Sequence, residues 1–260
     1  MYNGELLDLL DDRGYPVDYL YARIRGRRSR LIMDWKAFVY EASPLEILSG
    51  GASRGVVRDR TAEGIWVNLL REYRWVCRQM NSGLRDIFAP YFLYAELRTL
   101  FISLRHIKES STEETADLLS QSLLSKRIKN ILETSKKPEV AVTALERAFL
   151  TLSTSFSGIA GSFEKDGLRG FEQDLTNRYL AHIVNRGLHP LVRIFFSRII
   201  DARNILALYK ALRMSARARP VFLPGGAMTS ERFRDILKSK DLFTVKSLVR
   251  EATGIRIDSP

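Results

Sequence analysis

Hydrophobic positions recur at three- and four-residue spacing through most of the chain. In the clearest segment, Ile205, Leu208 and Leu212 place one apolar stripe on a helix. Asp201 and Asn204 fall on the same face. A carboxylate and an amide that point into a seam between helices are costly unless a neighbouring segment supplies hydrogen-bond partners. The pattern therefore indicates either specified polar contacts inside a helical core or a polar pair at the solvated end of the seam.

The same periodicity predicts helices along the rest of the chain. Pro90 is expected in the first turn of one of them, where a missing N–H does no harm. No run of alternating polar and apolar residues indicates a strand, so the sequence predicts an all-α chain of antiparallel neighbours joined by short connections. The apolar face of the helix at 62–80 is expected to run through Ile65, Leu69, Tyr73 and Val76. The predicted helices span residues 5–12, 19–35, 62–80, 87–107, 115–132, 138–149 with a continuation past Leu152, 168–185, 199–213, 229–238 and 241–252.

The helix predicted at 19–35 carries a dense group of arginines. Its apolar face runs through Leu20, Ile24, Leu31 and Trp35. Arg27 or Arg28 falls within that face, and a buried guanidinium needs an acceptor. Two interpretations are open: these arginines meet Glu96 or Asp201 on neighbouring helices, or their stems lie along the helix and their heads reach water.

A second segment repeats the polar pattern of the Asp201 helix. Glu96 stands 105 residues before Asp201, and the small polar, aliphatic and basic residues that follow keep the same spacing. Two occurrences at one offset suggest a duplicated helical unit of roughly a hundred residues, longer than ordinary solenoid repeats. The corresponding pairs are Glu96 with Asp201, Thr99 with Asn204, and Arg105 with Lys210.

Three stretches of the chain carry a family resemblance. They are the arginine-rich segment at 19–31, the helix with Asp201 and Asn204, and the sequence Phe222-Leu223-Pro224-Gly225-Gly226 that follows it. With these motifs in this order, the chain resembles the C subunit of archaeal and bacterial V/A-type ATPases and is similar to the vacuolar ATPase d (AC39) subunit. The Glu96 segment resembles the family's earlier copy of the motif helix, with Glu and Thr in place of the usual Asp and Asn.

The resemblance implies an all-α fold, a pseudo-repeated helical funnel-like bundle of the type found in the C and d subunits of V-type ATPases. It divides the chain into an N-terminal helical unit at 1–80, a first motif-helix repeat at 81–185 and a second, C-terminally short repeat at 186–260. It implies a non-catalytic central-stalk rotor subunit, a socket that couples the central shaft to the membrane ion-translocating ring. The implied partners are the shaft subunits and the rotor ring at the cytoplasmic face of the membrane, with no cofactor, metal or small-molecule substrate.

The resemblance also assigns roles to particular residues. Asp201 and Asn204 organise the motif helix as structural residues, and a turn positions the next helix. The other structural residues of the motifs are Glu96, Thr99, Arg105, Lys210, Pro224, Gly225 and Gly226. The residues expected to contact partners are Arg23, Arg25, Arg28, Arg203 and Arg213.

Members of the family typically continue past the Pro-Gly-Gly turn into a further acidic, amphipathic helix that completes a third repeat. The resemblance therefore predicts that this chain lacks the C-terminal part. Three explanations are open: a shortened subunit, a last portion supplied by another chain, or a truncated reading frame.

The composition adds a strong positive charge to this picture. The chain has 260 residues, with 41 Lys and Arg against 30 Asp and Glu, a formal net charge of +11 and a pI near 9.9. Such a surplus favours an acidic partner, which can be a protein, anionic lipid or nucleic acid, although a genome-wide bias toward Arg gives the same numbers. The alternative function is accordingly a basic helical nucleic-acid-binding or scaffold protein. The arginines stand in helical register with core residues, however, and no base-stacking platform is indicated.

Residues that usually carry catalysis are sparse. The single cysteine, Cys77, excludes an internal disulfide, and the three histidines share no metal-ligand spacing. A glycine-rich loop at 50–55 lacks the preceding strand and the Gly-Lys-Ser/Thr ending of a phosphate-binding loop. The sequence thus predicts no catalytic, cofactor-binding or metal-binding residues, and no segment is expected to span a membrane.

Overall fold

The computed structural model describes residues 5–9, 13–28, 62–213, 220–240, 244–245 and 247–249. The loop predicted at 50–55, the end of the helix predicted at 19–35 and much of the helix predicted at 241–252 lie outside these residues. No strand occurs in the described part of the chain, which confirms the all-α prediction there, and one isolated antiparallel bridge joins Leu7 to Leu124. The helices are α1 (Val17–Arg28), α2 (Ala62–Gln79), α3 (Ser82–Glu109), α4 (Thr112–Gln121), α5 (Lys126–Thr134), α6 (Pro138–Phe149), a 3-10 turn at Thr154–Phe156, α7 (Ile159–Val184), α8 (Pro190–Arg213) and α9 (Ser230–Ser239). The predicted continuation of α6 past Leu152 is wrong, because the chain turns at residues 150–152.

The chain divides into two compact units, Met1–Leu152 and Ser153–Pro260. In the first unit, α4, α5 and α6 all pack on α3, whose Leu100 and Leu104 are fully buried. In the second unit, α8 packs between its chain neighbours α7 and α9 and contacts both. The predicted division at 1–80, 81–185 and 186–260 stays a prediction, because it rests on the repeated sequence pattern rather than on packing.

Helix α3 is longer than the sequence predicts. It begins at Ser82 because the side chain of Asn81 caps it, accepting a hydrogen bond from the Leu84 amide at 2.9 Å. Pro90 therefore lies about two turns inside the helix, not in its first turn as predicted. In length and apolarity α3 is the one helix of the described chain that could span a membrane, but 56% of its most apolar window is buried within the protein. A core helix of a folded unit passes the same test.

The helix predicted at 115–132 is interrupted between α4 and α5. Residues 122–125 leave the helical path, and Ser125 caps α5 by accepting a hydrogen bond from the Ile128 amide at 3.4 Å. The prediction was wrong here because apolar periodicity continues on both sides of the break, so the sequence pattern gives no sign of it.

The segment at 5–9 lies along this break. The Ser125 amide donates to the Leu6 carbonyl at 2.9 Å, and the Asp8 amide donates to the Leu123 carbonyl at 2.8 Å. These residues form a turn and a bridge, so the helix predicted from residue 5 is wrong over 5–9. Main-chain pairing with the break supplies the hydrogen bonds that a helix would have made internally.

The buried face of α2 differs from the predicted one. Ile65 and Leu69 are 40% and 37% exposed, whereas Leu70 and Cys77 are fully buried. Trp66 lies with Leu70 in a small core cluster that also includes Leu118 of α4. The buried face thus includes Trp66 and Leu70 instead of Ile65 and Leu69, one residue later in each case. The reason is that packing buries the bulky indole of Trp66.

The second half of α7 follows the prediction closely. The backbone breaks at Gly167, where φ is +66° and ψ is −158°, and helix resumes at Leu168. Leu175, Tyr179 and Ile183 of the predicted apolar face are fully buried. A φ of this sign favours glycine, which explains why the helix predicted from the sequence starts only after this position.

Candidate functional site

The carboxylate of Asp201 is a buried anchor for the chain that follows α8. Asp201 is 3% exposed. One carboxylate oxygen accepts the Ala227 amide at 3.0 Å, and the other accepts the Met228 amide at 3.1 Å. Both oxygens therefore hold successive main-chain N–H groups immediately before α9, which satisfies the polar group that the sequence places in the seam.

Asn204 makes a second connection from the same face of α8. Its side-chain amide donates to the Leu223 carbonyl at 2.9 Å and accepts the Leu223 amide at 2.8 Å. The side chain thus occupies both main-chain groups of one residue, as a neighbouring strand would do. Of the two interpretations of this pair, the structure supports specified polar contacts, since Asn204 is 1% exposed.

Replacing Asn204 with aspartate tests this contact with almost no change in shape. The second oxygen would face the Leu223 carbonyl without a proton to donate, and it would add a charge close to Asp201. We expect the free energy of unfolding to fall by about 2 kcal/mol, measured by urea denaturation. Asn130 is exposed on α5, so Asn130→Asp is the matched control and should change stability by less than about 0.5 kcal/mol. Equal effects of the two substitutions would contradict a specific role for Asn204.

The turn between Leu223 and α9 packs closely against Asp201. Gly225 has a φ of +93°, and a Cβ added at Gly226 would lie 2.0 Å from one carboxylate oxygen of Asp201. The Pro224-Gly225-Gly226 sequence therefore combines a left-handed residue with a residue that must lack a side chain. Thr229 then caps α9 by accepting a hydrogen bond from the Arg232 amide at 3.4 Å.

Glu96 forms the corresponding anchor in the first unit. It is fully buried in α3, and its two oxygens accept the Leu123 amide at 2.6 Å and the Ser122 hydroxyl at 2.8 Å. The ammonium of Lys129 donates to the Ser122 carbonyl at 2.8 Å and holds the same segment. Glu96 thus fixes the break between α4 and α5.

The two anchors span equal lengths of chain. Glu96 binds residues 26 and 27 positions later, and Asp201 does the same. The repeated sequence offset of 105 residues thus extends from the acidic residues to the residues that they bind. The other pairs are less alike. Thr99 accepts a hydrogen bond from the indole N–H of Trp66 at 3.0 Å, whereas Asn204 hydrogen-bonds the main chain of Leu223. Arg105 and Lys210 are both exposed on their helices.

The residues that complete each anchor were missed by the sequence analysis. Ser122 and Leu123 lie inside a predicted helix, and Ala227 and Met228 belong to no motif. Leu123, Ala227 and Met228 bind through main-chain N–H groups, which every non-proline residue carries, so their residue type gives no signal. Ser122 binds through its hydroxyl. The signal available was the offset of 105 residues, because extending it from the acids to the segments after them pairs 122 with 227 and 123 with 228.

Burial raises the pKa of the Glu96 carboxyl above its ordinary value of 4.5, and the Leu123 and Ser122 hydrogen bonds oppose that shift. The folded protein therefore keeps this proton at pH values where the unfolded chain has lost it. Stability contributed by this group is complete below about pH 4.5 and decreases as the pH rises through the raised folded value.

The expected pH effect can be isolated with Glu96→Gln, which does not titrate. The measured quantity is the free energy of unfolding of the native chain minus that of the variant. This difference should decrease as the pH rises above 4.5, the ordinary pKa of the carboxyl group. The slope should be at most about 1.4 kcal/mol per pH unit, measured by urea denaturation across the pH range. The amide also alters the hydrogen bonds, but that contribution does not vary with pH. A difference that rises with pH would contradict the direction of the shift.

The arginines expected to contact partners fall into different environments. Arg23 and Arg25 are exposed on α1, with guanidinium carbons 5.5 Å from the ring centroids of Tyr19 and Tyr21. Arg203 is half-buried and donates to the side chain of Asn177 at 3.1 Å. Arg213 is exposed and hydrogen-bonds the Tyr209 hydroxyl. The side chain of Arg28 lies outside the described residues.

Arg27 corrects one expectation. Its guanidinium forms an ion pair with Glu72 and lies 3.7 Å from the ring centroid of Trp75, both on α2. Its ion-pair partner is Glu72 and not Glu96 or Asp201, so the predicted pairing is wrong for this residue. A half-buried pair on an aromatic ring satisfies the guanidinium locally.

Side chains of the types that often take part in catalysis are buried in the core or packed against other side chains here. Cys77 is fully buried, its thiol donates to the Leu9 carbonyl at 3.2 Å, and burial raises its pKa to about 11. The ring of His182 packs against Phe156, and burial lowers its pKa. Among the described residues no group of three His, Cys, Asp or Glu side chains is placed to hold a metal ion.

Comparison with models of protein families gives a match that covers most of the chain. A family model described as the ATP synthase (C/AC39) subunit matches residues 46–256. The match includes both acidic anchors and the turn before α9. No curated protein matches the chain.

Proposed function

Because the chain belongs to the ATP synthase C/AC39 family, we propose that it is the non-catalytic central-stalk socket of a V/A-type ATPase. Family membership gives it the role of a C or d subunit in such an ATPase. In the proposed role it couples the central shaft to the membrane ion-translocating ring. It lies peripherally at the cytoplasmic face of the membrane, with shaft subunits and rotor ring as its direct partners.

The pair of buried acidic anchors supports this coupling role. A protein that transmits torque must resist deformation. Glu96 and Asp201 each hold a chain segment 26 and 27 residues away through two hydrogen bonds. Displacing either segment would leave a buried carboxyl group and buried donors unpaired, so each unit has few alternative packings of comparable energy. Such units are stiff in the sense that the role requires.

The same contacts favour a structural role for these acids over a catalytic one. Glu96 is fully buried and Asp201 is 3% exposed. Their oxygens are engaged by main-chain and hydroxyl donors, so a substrate has no access to them. A general acid or base must come within hydrogen-bonding distance of the group that it protonates or deprotonates.

Docking is proposed to use the exposed basic residues. Arg23, Arg25 and Arg213 stack on tyrosine rings, which limits the orientations of their guanidinium groups. With a net charge of +11, the chain attracts acidic surfaces at long range. Complementary charge sets the orientation and rate of encounter more than the final affinity. Arg203 contributes less to docking, because its contact with Asn177 lies within the unit.

The proposal is tested by affinity purification of the tagged chain from solubilised membranes of its host. Central-shaft and rotor-ring subunits should be recovered in fixed proportion, as identified by mass spectrometry. The variant with Arg23→Glu and Arg25→Glu should recover less of them. Lys136 and Lys137 are exposed elsewhere in the same unit, so reversing both charges there is the matched control. Recovery of nucleic acid without any ATPase subunit would contradict the socket role.

A further inference from the structure

The outward face of α8 carries a regular stripe of apolar and basic residues. The outer stripe consists of Leu191, Phe195, Arg198, Ala202, Leu206, Tyr209 and Arg213. Leu191, Leu206 and Tyr209 are 65%, 51% and 37% exposed, and Arg198, Ala202 and Arg213 are also exposed. Phe195 is half-buried. The opposite face of the same helix is fixed in the core, where Phe196, Ile200 and Leu208 are fully buried.

The stripe follows one helical period along the whole helix. Its members recur every 11 residues, as Leu191, Ala202 and Arg213 illustrate. An 11-residue repeat corresponds to about 3.67 residues per turn, which keeps a stripe straight along one side of a helix. The stripe therefore presents a surface about 33 Å long at ~1.5 Å per residue. Its length and straightness match another α-helix laid along it.

The charge of the stripe has one sign. Asp201 is the only acidic residue of α8, and its carboxylate is engaged on the buried face. Arg198 lies within the stripe between Phe195 and Ala202, and Arg213 lies at its C-terminal end. A partner must therefore bring apolar side chains and carboxylates at similar spacing, since opposite charges paired beside an apolar contact stabilise helix association.

From this surface we propose that the outer stripe of α8 docks an amphipathic α-helix of an acidic partner protein. A lipid surface fits less well, because helices that lie on membranes keep their basic residues on the polar face and not inside the apolar one. Nucleic acid fits less well because Leu191 and Leu206 offer no stacking surface and the ring of Tyr209 is covered by Arg213. A second copy of the chain would bring the same positive charges together. The inference does not depend on the proposed rotary role, although Arg213 belongs to both surfaces, and its test uses no ATPase subunit.

The test uses the full chain and a designed helical peptide of 22 residues on the 11-residue pattern, with Leu and Glu on its contact face. A second peptide carries Lys at each Glu position. Fluorescence anisotropy should show binding of the Glu peptide and none of the Lys peptide. Arg198→Glu should weaken binding of the Glu peptide by about tenfold or more and allow the Lys peptide to bind.

Two matched variants separate the stripe from general charge and hydrophobicity. Arg193 is exposed on α8 away from the stripe, so Arg193→Glu should change affinity by less than about twofold. Val140 is 58% exposed on α6, and Val140→Ser should likewise have little effect, whereas Leu206→Ser should weaken binding by about fivefold or more. Circular dichroism checks that each variant keeps its helices.

Four results would overturn the proposal. One is no binding of the Glu peptide to the native chain, and another is an equal loss with Arg193→Glu and Arg198→Glu. A third is stronger binding to anionic vesicles or to single-stranded RNA that depends on Arg198 and Leu206. The fourth is self-association of the native chain in sedimentation equilibrium that Leu206→Ser abolishes.

Discussion

Replacing Gly226 with alanine is expected to lower the free energy of unfolding by about 3 kcal/mol. The new Cβ would lie 2.0 Å from a carboxylate oxygen of Asp201 and 3.3 Å from a side-chain carbon of Ile200. Asp201 must then move, and it can no longer accept the amides of Ala227 and Met228 at their present distances. The loss is measured by urea denaturation, and hydrogen exchange of the Met228 amide should accelerate.

The control for Gly226 is another glycine of the same unit. Gly187 has an ordinary φ, and a Cβ there meets nothing within 4 Å. Gly187→Ala should change the free energy of unfolding by less than about 0.5 kcal/mol.

A double variant tests the cause. If the collision with Asp201 is responsible, Gly226→Ala should cost at least about 2 kcal/mol less in an Asp201→Ala chain than in the native chain. Additive effects would contradict the collision.

Replacing Glu96 with alanine is expected to have the largest effect, a loss of about 4 kcal/mol. The substitution removes the acceptor of the Leu123 amide and the Ser122 hydroxyl, and Ser122 is itself only 2% exposed. It also leaves a cavity in a fully buried position. Hydrogen exchange of the Leu123 amide gives a local measure of the same event, since that amide is protected by Glu96.

Glu109 provides the control for Glu96, because it is an exposed glutamate at the end of the same helix. Glu109→Ala should change stability by less than about 0.5 kcal/mol. A loss at Glu96 no larger than at Glu109 would show that the buried carboxyl group contributes little.

Asp201→Ala should also lower the free energy of unfolding, by about 3 kcal/mol, and should accelerate hydrogen exchange of the Met228 amide.

The accuracy of the sequence predictions varies with the kind of feature. Helices with a strong apolar period, such as that containing Leu175, Tyr179 and Ile183, were predicted well, because periodicity reports burial directly. The predicted buried face of α2 was wrong, because this helix has apolar side chains on several sides and packing buries Trp66 among them. The break at 122–125 was also missed, since Glu96 fixes it from another helix.

The candidate site shows the same division. Sequence alone determined an all-α chain with two acidic motif helices separated by 105 residues, and it indicated that Asp201 and Asn204 share a face with core residues. Tertiary structure decided what these groups bind, namely the Ser122 hydroxyl and main-chain atoms of residues 123, 223 and 227–228. The physical reason is that a buried carboxylate must find donors, yet any main-chain N–H can supply them. The residue type therefore determines that a hydrogen-bond donor is needed, whereas the packing of the helices determines which donor it is.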